Sequence, residues 1–102
     1  MGTKNDLVKP EESRMVVFQE KSIRRILHNN EWWFSIADVC SVLTESADSG
    51  AYWRKLKQRL REEGSEVVTF CHGLKLPAPD GKQRETDCAN TEGVFRIIQS
   101  IP

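Results

Sequence analysis

The sequence predicts an α+β domain with three helices and a small mixed sheet of about five strands. Short runs of β-branched and aromatic residues near the N-terminus are typical of strands. Between residues 36 and 63, apolar residues instead recur at every third or fourth position, which is typical of helices. Asp80-Gly81 is a hairpin signal between two further candidate strands. With 102 residues, the chain has room for one domain around one modest core.

The predicted strands form an N-terminal meander and a C-terminal hairpin, after a polar stretch at residues 1–14 that we interpret as a flexible leader. The expected strands are residues 15–19, 22–28, 32–34, 66–71 (with 74–76 extending this strand after a break at Gly73) and 83–89. Asn29-Asn30-Glu31 predicts a tight turn, because asparagine tolerates left-handed backbone angles. Residues 77–82 predict the hairpin turn.

The three predicted helices begin at recognisable caps. Residues 36–44 follow Ser35, an N-cap with an acid three residues later. Residues 49–63 are expected to end before Gly64. Asn90 or Thr91 caps the last helix, which carries many apolar residues: Val94, Phe95, Ile97, Ile98 and Ile101. This helix either closes the domain's own core or contacts a second copy or a missing domain, so a homodimer through it is one expectation.

Charge and hydropathy restrict the classes of function. Lys+Arg and Asp+Glu number 15 each, so any attraction to nucleic acid must come from a local patch. No apolar run approaches the roughly 20 residues that span a bilayer. The N-terminus also lacks the apolar segment of a secretory signal. We therefore expect a cytoplasmic protein without a membrane partner.

Reactive side chains are few and scattered. Cys40, Cys71 and Cys88 lack metal-ligand spacing, and Cys71-His72 would point to opposite faces of a strand. His28 and His72 have no recognisable catalytic partner, and no phosphate-binding loop or serine nucleophile motif is present. We expect no enzyme activity, no cofactor, no bound metal and no disulfide.

Two patterns are candidates for binding. In Trp32-Trp33-Phe34, strand alternation predicts that Trp32 and Phe34 are buried and that Trp33 is exposed, where it can stack on a base or anchor a partner. The second pattern is basic. The candidate nucleic-acid contacts are Arg54, Lys55, Lys57, Arg59 and Arg61 on the second helix, with Lys75, Lys82 and Arg84 on the hairpin.

Helical spacing divides the five cations of the second helix into two stripes. Arg54, Lys57 and Arg61 form one outward stripe, and Lys55 and Arg59 form the other. A basic helix docked on a core is suited to tracking phosphates. The alternative is a solvated face balanced by the acids that follow, Glu62 and Glu63. On the hairpin, acids dilute the basic charge: Asp80, Glu85 and Asp87.

Several motifs in order resemble one known family. They are Trp32-Trp33-Phe34-Ser35, Ala37-Asp38-Val39, Val42-Leu43, Tyr52-Trp53, Leu56-Lys57, Arg59-Leu60, Asp80-Gly81-Lys82, Thr86-Asp87 and Thr91-Glu92-Gly93-Val94-Phe95-Arg96-Ile97-Ile98. Together they resemble the Bro-N domain, the N-terminal domain of BRO family proteins and prophage antirepressors. The likeness covers roughly residues 15–102.

The resemblance implies a DNA-binding, non-enzymatic role in a phage-type transcriptional regulator. It does not fix which surface binds. A second interpretation stays open, namely a protein-interaction module that captures a repressor without contacting DNA. Because family members usually continue into a further segment, the resemblance also leaves open that this chain is the N-terminal part of a longer protein.

Overall fold

A computed structural model describes residues 15–18 and 21–102 and has the predicted α+β class with three α-helices. The strands are β1 (Met15–Phe18), β2 (Lys21–His28), β3 (Glu31–Ser35), β4 (Cys71–Pro77) and β5 (Gln83–Ala89). The α-helices are α1 (Ile36–Thr44), α2 (Ser49–Glu62) and α3 (Thr91–Ser100). The predicted leader, residues 1–14, lies outside the described residues.

The sheet is antiparallel rather than mixed, which corrects the prediction. Its strand order is β1-β2-β3-β5-β4, and β2 to β5 form a four-stranded body. β1 pairs only with the first half of β2, where Met15 lies opposite Arg24, so the predicted count of five is slightly too high for the main sheet. Short loops join β2 to β3 and β4 to β5, and strands joined so tightly can only be antiparallel. At the first of these loops, Asn29 and Asn30 have φ values of 53° and 64°, as the sequence predicted.

Residues 66–70 depart from the predicted strand. Glu66–Phe70 is a 3-10 helix that begins where the Ser65 side chain accepts a hydrogen bond from the Val67 amide. Val67 and Val68 both pack against the helical core instead of alternating between two faces of a sheet. β4 therefore begins only at Cys71, and it runs through Gly73 without the expected break.

Gly73 leaves room for a side chain of the neighbouring strand. A Cβ atom there would lie 2.5 Å from Oε2 of Glu85, whose side chain crosses over Gly73 from β5. The space beside Gly73 is filled from β5, and β4 continues through this position without a break.

The main core lies between the helices and one face of the sheet. It contains Ile36, Cys40, Trp53, Leu56, Leu60, Ala89 and Ile97. The predicted packing face of α2, formed by Trp53, Leu56 and Leu60, is confirmed, since each of these side chains is buried. In α3, Ile97 is buried and Val94 packs against this core, as does Ile101 just after the helix, whereas Phe95 is 61% exposed. α3 therefore closes the core along only part of its surface.

The prediction that Trp33 is exposed is wrong. Trp33 is buried with Leu76 and Cys88 in a second apolar cluster, while Trp32 and Phe34 are only half-buried. The sheet curls so that β2 contacts β4 although two strands lie between them in strand order. The guanidinium of Arg24 on β2 bridges the two ends of this curl by donating from Nη1 to the Pro77 carbonyl on β4 at 2.8 Å. The side chains of β3 still alternate between the two faces of the sheet. The face that was predicted to be exposed, however, lies on the inside of this curl.

Candidate nucleic-acid interface

α2 is a rigid support for its basic residues. The Asp48 side chain caps its first turn by accepting from the Ala51 amide at 3.0 Å. At the other end, Gly64 adopts a φ of 73°, and the amides of Gly64 and Ser65 donate to carbonyls of the last turn. The buried face holds the helix on the core, so four of its five cations are presented to solvent: Arg54, Lys55, Arg59 and Arg61.

Lys57 does not complete the predicted outward stripe. Its Nζ lies 2.7 Å from Oδ2 of Asp87 on β5, and the indole Nε1 of Trp53 donates to the same oxygen at 2.8 Å. These two bonds tie α2 to the sheet. Lys57 is therefore half-buried and serves to position the helix, while Arg54 and Arg61 of the same stripe stay exposed.

The anchor at Asp87 predicts an acid-sensitive contribution to stability. Burial acts to raise the pKa of Asp87, but the hydrogen bonds from Lys57 and Trp53 outweigh it and lower this pKa below 3.8. Since the unfolded chain then binds the proton more tightly, the stabilisation is present above about pH 4 and is lost as pH falls through the folded-state pKa. In Asp87→Asn, urea denaturation should show lower stability at pH 7 and a flatter decline between pH 5 and pH 2.

Asp80→Asn is a suitable control for this prediction. Asp80 also has a lowered pKa, through its bond from Arg84, but it is exposed at the hairpin tip. Its replacement should leave stability at pH 7 nearly unchanged. Equal pH dependence in the Asp87→Asn variant and the parent would contradict the proposed anchor.

Arg59 is exposed but partly engaged. Its Nη2 donates to the Ser100 carbonyl at the end of α3 at 3.0 Å, and its Nε lies 3.7 Å from Glu63. Both partners are at the surface, where such bonds contribute little to stability. Arg59 can therefore exchange them for a phosphate at small cost.

The hairpin carries three cations and three carboxylates. Lys75 lies directly opposite Glu85, and Arg84 forms an ion pair with Asp80. Lys75 shares a sheet face with Asp87, the residue that binds Lys57, so this face adjoins α2. Arg84 belongs to the opposite face, and Lys82 lies in the turn. The structure thus places Lys75 beside the helix and separates it from the other two.

Arg24 is a structural residue that the sequence pattern did not reveal. It binds both carboxylate oxygens of Asp38, through Nε at 2.8 Å and Nη2 at 3.1 Å, and Nη2 also reaches Ser35 Oγ at 3.3 Å. With its bond to Pro77, it joins β2, the start of α1 and the hairpin. No local signal marks it, because its partners lie 11 to 53 residues away.

The cysteines and histidines lie outside this interface. Burial raises the pKa of each thiol, Cys40, Cys71 and Cys88, to about 11, so the thiols are protonated near neutral pH. His28 and His72 are exposed and meet the Trp33 ring edge-on, with ring centroids at 6.3 and 4.7 Å. Within residues 15–18 and 21–102, no three metal-ligating side chains come together, and no helix is long and apolar enough to cross a membrane.

Comparison with known families agrees with the resemblance seen in the sequence. The model of the BRO family N-terminal domain, Bro-N, matches residues 22–102, which includes every described helix and, apart from Lys21, the four-stranded body of the sheet. Searches of curated proteins and of solved structures found no significant match. The Bro-N match covers most of the chain, and the chain therefore belongs to the BRO family through its N-terminal domain.

Proposed function

We propose that this domain binds DNA through the exposed side of α2, as part of a phage antirepressor-type transcriptional regulator. The family implies DNA binding of this type in general terms. The observation that carries the proposal is the presentation of Arg54, Lys55, Arg59 and Arg61 on a helix whose opposite side is fixed in the core. A rigid row of cations can replace the counterions condensed on a phosphate backbone.

The neutral charge of the chain is compatible with this proposal because its charges are unevenly distributed. α2 holds five of the chain's 15 cations but only one of its 15 carboxylates, Glu62. The remainder of the chain is therefore net acidic. Such an asymmetry orients a protein toward a polyanion through the local field of the helix, even though the net charge is zero.

Repressor capture is the competing function. One argument for it was that an exposed Trp33 could anchor a protein partner, but Trp33 is buried with Leu76 and Cys88. We also propose that the role is non-enzymatic and cytoplasmic. The raised pKa of the three thiols supports the first part, since a protonated thiol is a poor nucleophile.

A fluorescence anisotropy titration tests the proposal. The parent chain is titrated into labelled mixed-sequence duplexes and single strands at low and moderate salt. We expect binding to duplex DNA, and the logarithm of the affinity should fall linearly with the logarithm of the salt concentration. Each phosphate contacted should add about 0.9 to the magnitude of this slope. Absence of binding to either form at the lowest salt would contradict DNA recognition and would favour repressor capture.

A further inference from the structure

A small hollow lies along the side of α2 that is nearest to the end of α3. It has a volume of about 320 Å³ and is lined by four residues of α2 and one after α3: Tyr52, Lys55, Leu56, Arg59 and Pro102. The four α2 residues are spaced at i, i+3, i+4 and i+7, so they share one side of the helix. The hollow is therefore built mainly by one stripe of α2, within the proposed DNA-binding surface.

The hollow combines a mostly apolar lining with two exposed cations. Leu56 is buried and belongs to the main core, so it closes the hollow from below. Lys55 and Arg59 lie one helical turn apart, and both are exposed. The bond from Nη2 of Arg59 to the Ser100 carbonyl, at 3.0 Å, holds this guanidinium beside the hollow. Such a site suits a ligand with a flat apolar centre and anionic groups on either side.

Tyr52 gives the hollow an aromatic ring in a supported position. Its side chain is half-buried, packs against the main core and also lines the hollow. Contact with the core restricts the ring before any ligand binds, so little conformational entropy remains to be lost. A ring held in this way next to two cations is suited to stacking on a nucleobase whose phosphates the cations contact.

We propose that this hollow binds one unpaired base of the DNA, stacked on Tyr52, while Lys55 and Arg59 contact the phosphates on either side of that base. The proposal rests on the proposed function, because the base reaches the hollow only when DNA lies along α2. The two cations favour a nucleotide over an apolar side chain of a protein partner. The chain should therefore prefer DNA in which a base is already out of the stack, since no unpairing then opposes binding.

Anisotropy titration of the full chain with two matched duplexes tests the hollow. Each duplex carries one bulged nucleotide, which has a base in the first duplex and is abasic in the second, so the number of phosphates is the same. The parent should bind the first duplex about 5- to 150-fold more tightly, the factor that corresponds to stacking one base on an aromatic side chain. A matched pair of single strands repeats the comparison. The pair that shows the preference identifies the source of the base.

Variants of Tyr52 give a second readout. Tyr52→Leu removes the ring but keeps an apolar side chain against the core, and it should lose the preference for the base while the salt dependence stays. Tyr52→Phe keeps the ring and should keep the preference. Trp32→Leu is a control, because it removes a half-buried aromatic ring outside the hollow. With 2-aminopurine at the bulged position, the parent, Tyr52→Phe and Trp32→Leu should quench its fluorescence, and Tyr52→Leu should not.

Failure of the base site and failure of DNA binding give different results. Equal affinity for the base-containing and abasic forms, in duplexes and in single strands, would overturn the base site even if the chain binds DNA with the expected salt dependence. A preference that a folded Tyr52→Leu variant retains would overturn it as well, since the base would then be bound elsewhere. The abasic comparison uses the parent chain, so it decides the proposal even if Tyr52→Leu does not fold. Absence of any DNA binding at the lowest salt would contradict the proposed function together with the base site.

Discussion

Replacing Trp33 with alanine should lower the free energy of unfolding by about 3–5 kcal/mol, the range for removing a large aromatic side chain from a core. Trp33 fills the inside of the curled sheet, where it contacts Leu76 and Cys88 and meets the ring of His72 at 4.7 Å. Its indole nitrogen also donates to the His28 carbonyl at 3.2 Å. Strands surround this position on several sides, so the structure could not readily close around the cavity that alanine would leave.

Trp32→Ala provides the control for this prediction. Trp32 precedes Trp33 on β3 and points to the other face, where it is half-buried under the guanidinium of Arg25 at 4.0 Å. Its loss should cost clearly less, because part of the side chain is already in water. Urea denaturation followed by far-UV circular dichroism measures both variants. Equal losses, or a larger loss for Trp32→Ala, would contradict the placement of Trp33 in a core.

The sequence predicted those features that depend on neighbours along the chain. Local spacing and backbone preference account for the bounds of α1, for those of α2 to within one residue, for the caps at Ser35 and Asn90, and for the turn at Asn29-Asn30. The packing face of α2 was predictable for the same reason, since helical periodicity alone aligns its apolar residues.

Features that depend on distant parts of the chain could not be predicted in this way. Trp33 is buried because the sheet curls, and this curl brings Arg24 into contact with Pro77, 53 residues later in the chain. Val67 and Val68 favour a strand by composition, yet packing against the helices makes them a 3-10 helix. Contrary to the prediction, Lys57 is not part of an exposed basic stripe, because it binds Asp87, which lies 30 residues later in the chain but beside Lys57 in the fold.

Removing two exposed cations from α2 should weaken DNA binding strongly. Arg54 and Arg61 are suitable, because neither forms an ion pair within the part of the chain that the structure describes. Lys57 is not suitable, since its replacement would free Asp87 and disturb the helix anchor. In Arg54→Gln/Arg61→Gln, two lost phosphate contacts should reduce the slope of log affinity against log salt by about 1.8 on duplex DNA. Stability should change little, because both side chains are exposed.

The most direct measurement compares this helix variant with a hairpin variant of equal charge, Lys75→Gln/Lys82→Gln, by anisotropy titration on one duplex across a salt series. Both lose two positive charges from exposed side chains, so any difference between them comes from position and not from net charge. If α2 contacts DNA, the helix variant binds more weakly than the parent, and its slope of log affinity against log salt is smaller in magnitude by about 1.8. The hairpin variant keeps most of the parent's slope. A helix variant that binds as tightly as the parent at every salt concentration would contradict the assignment of α2 as the DNA-binding surface.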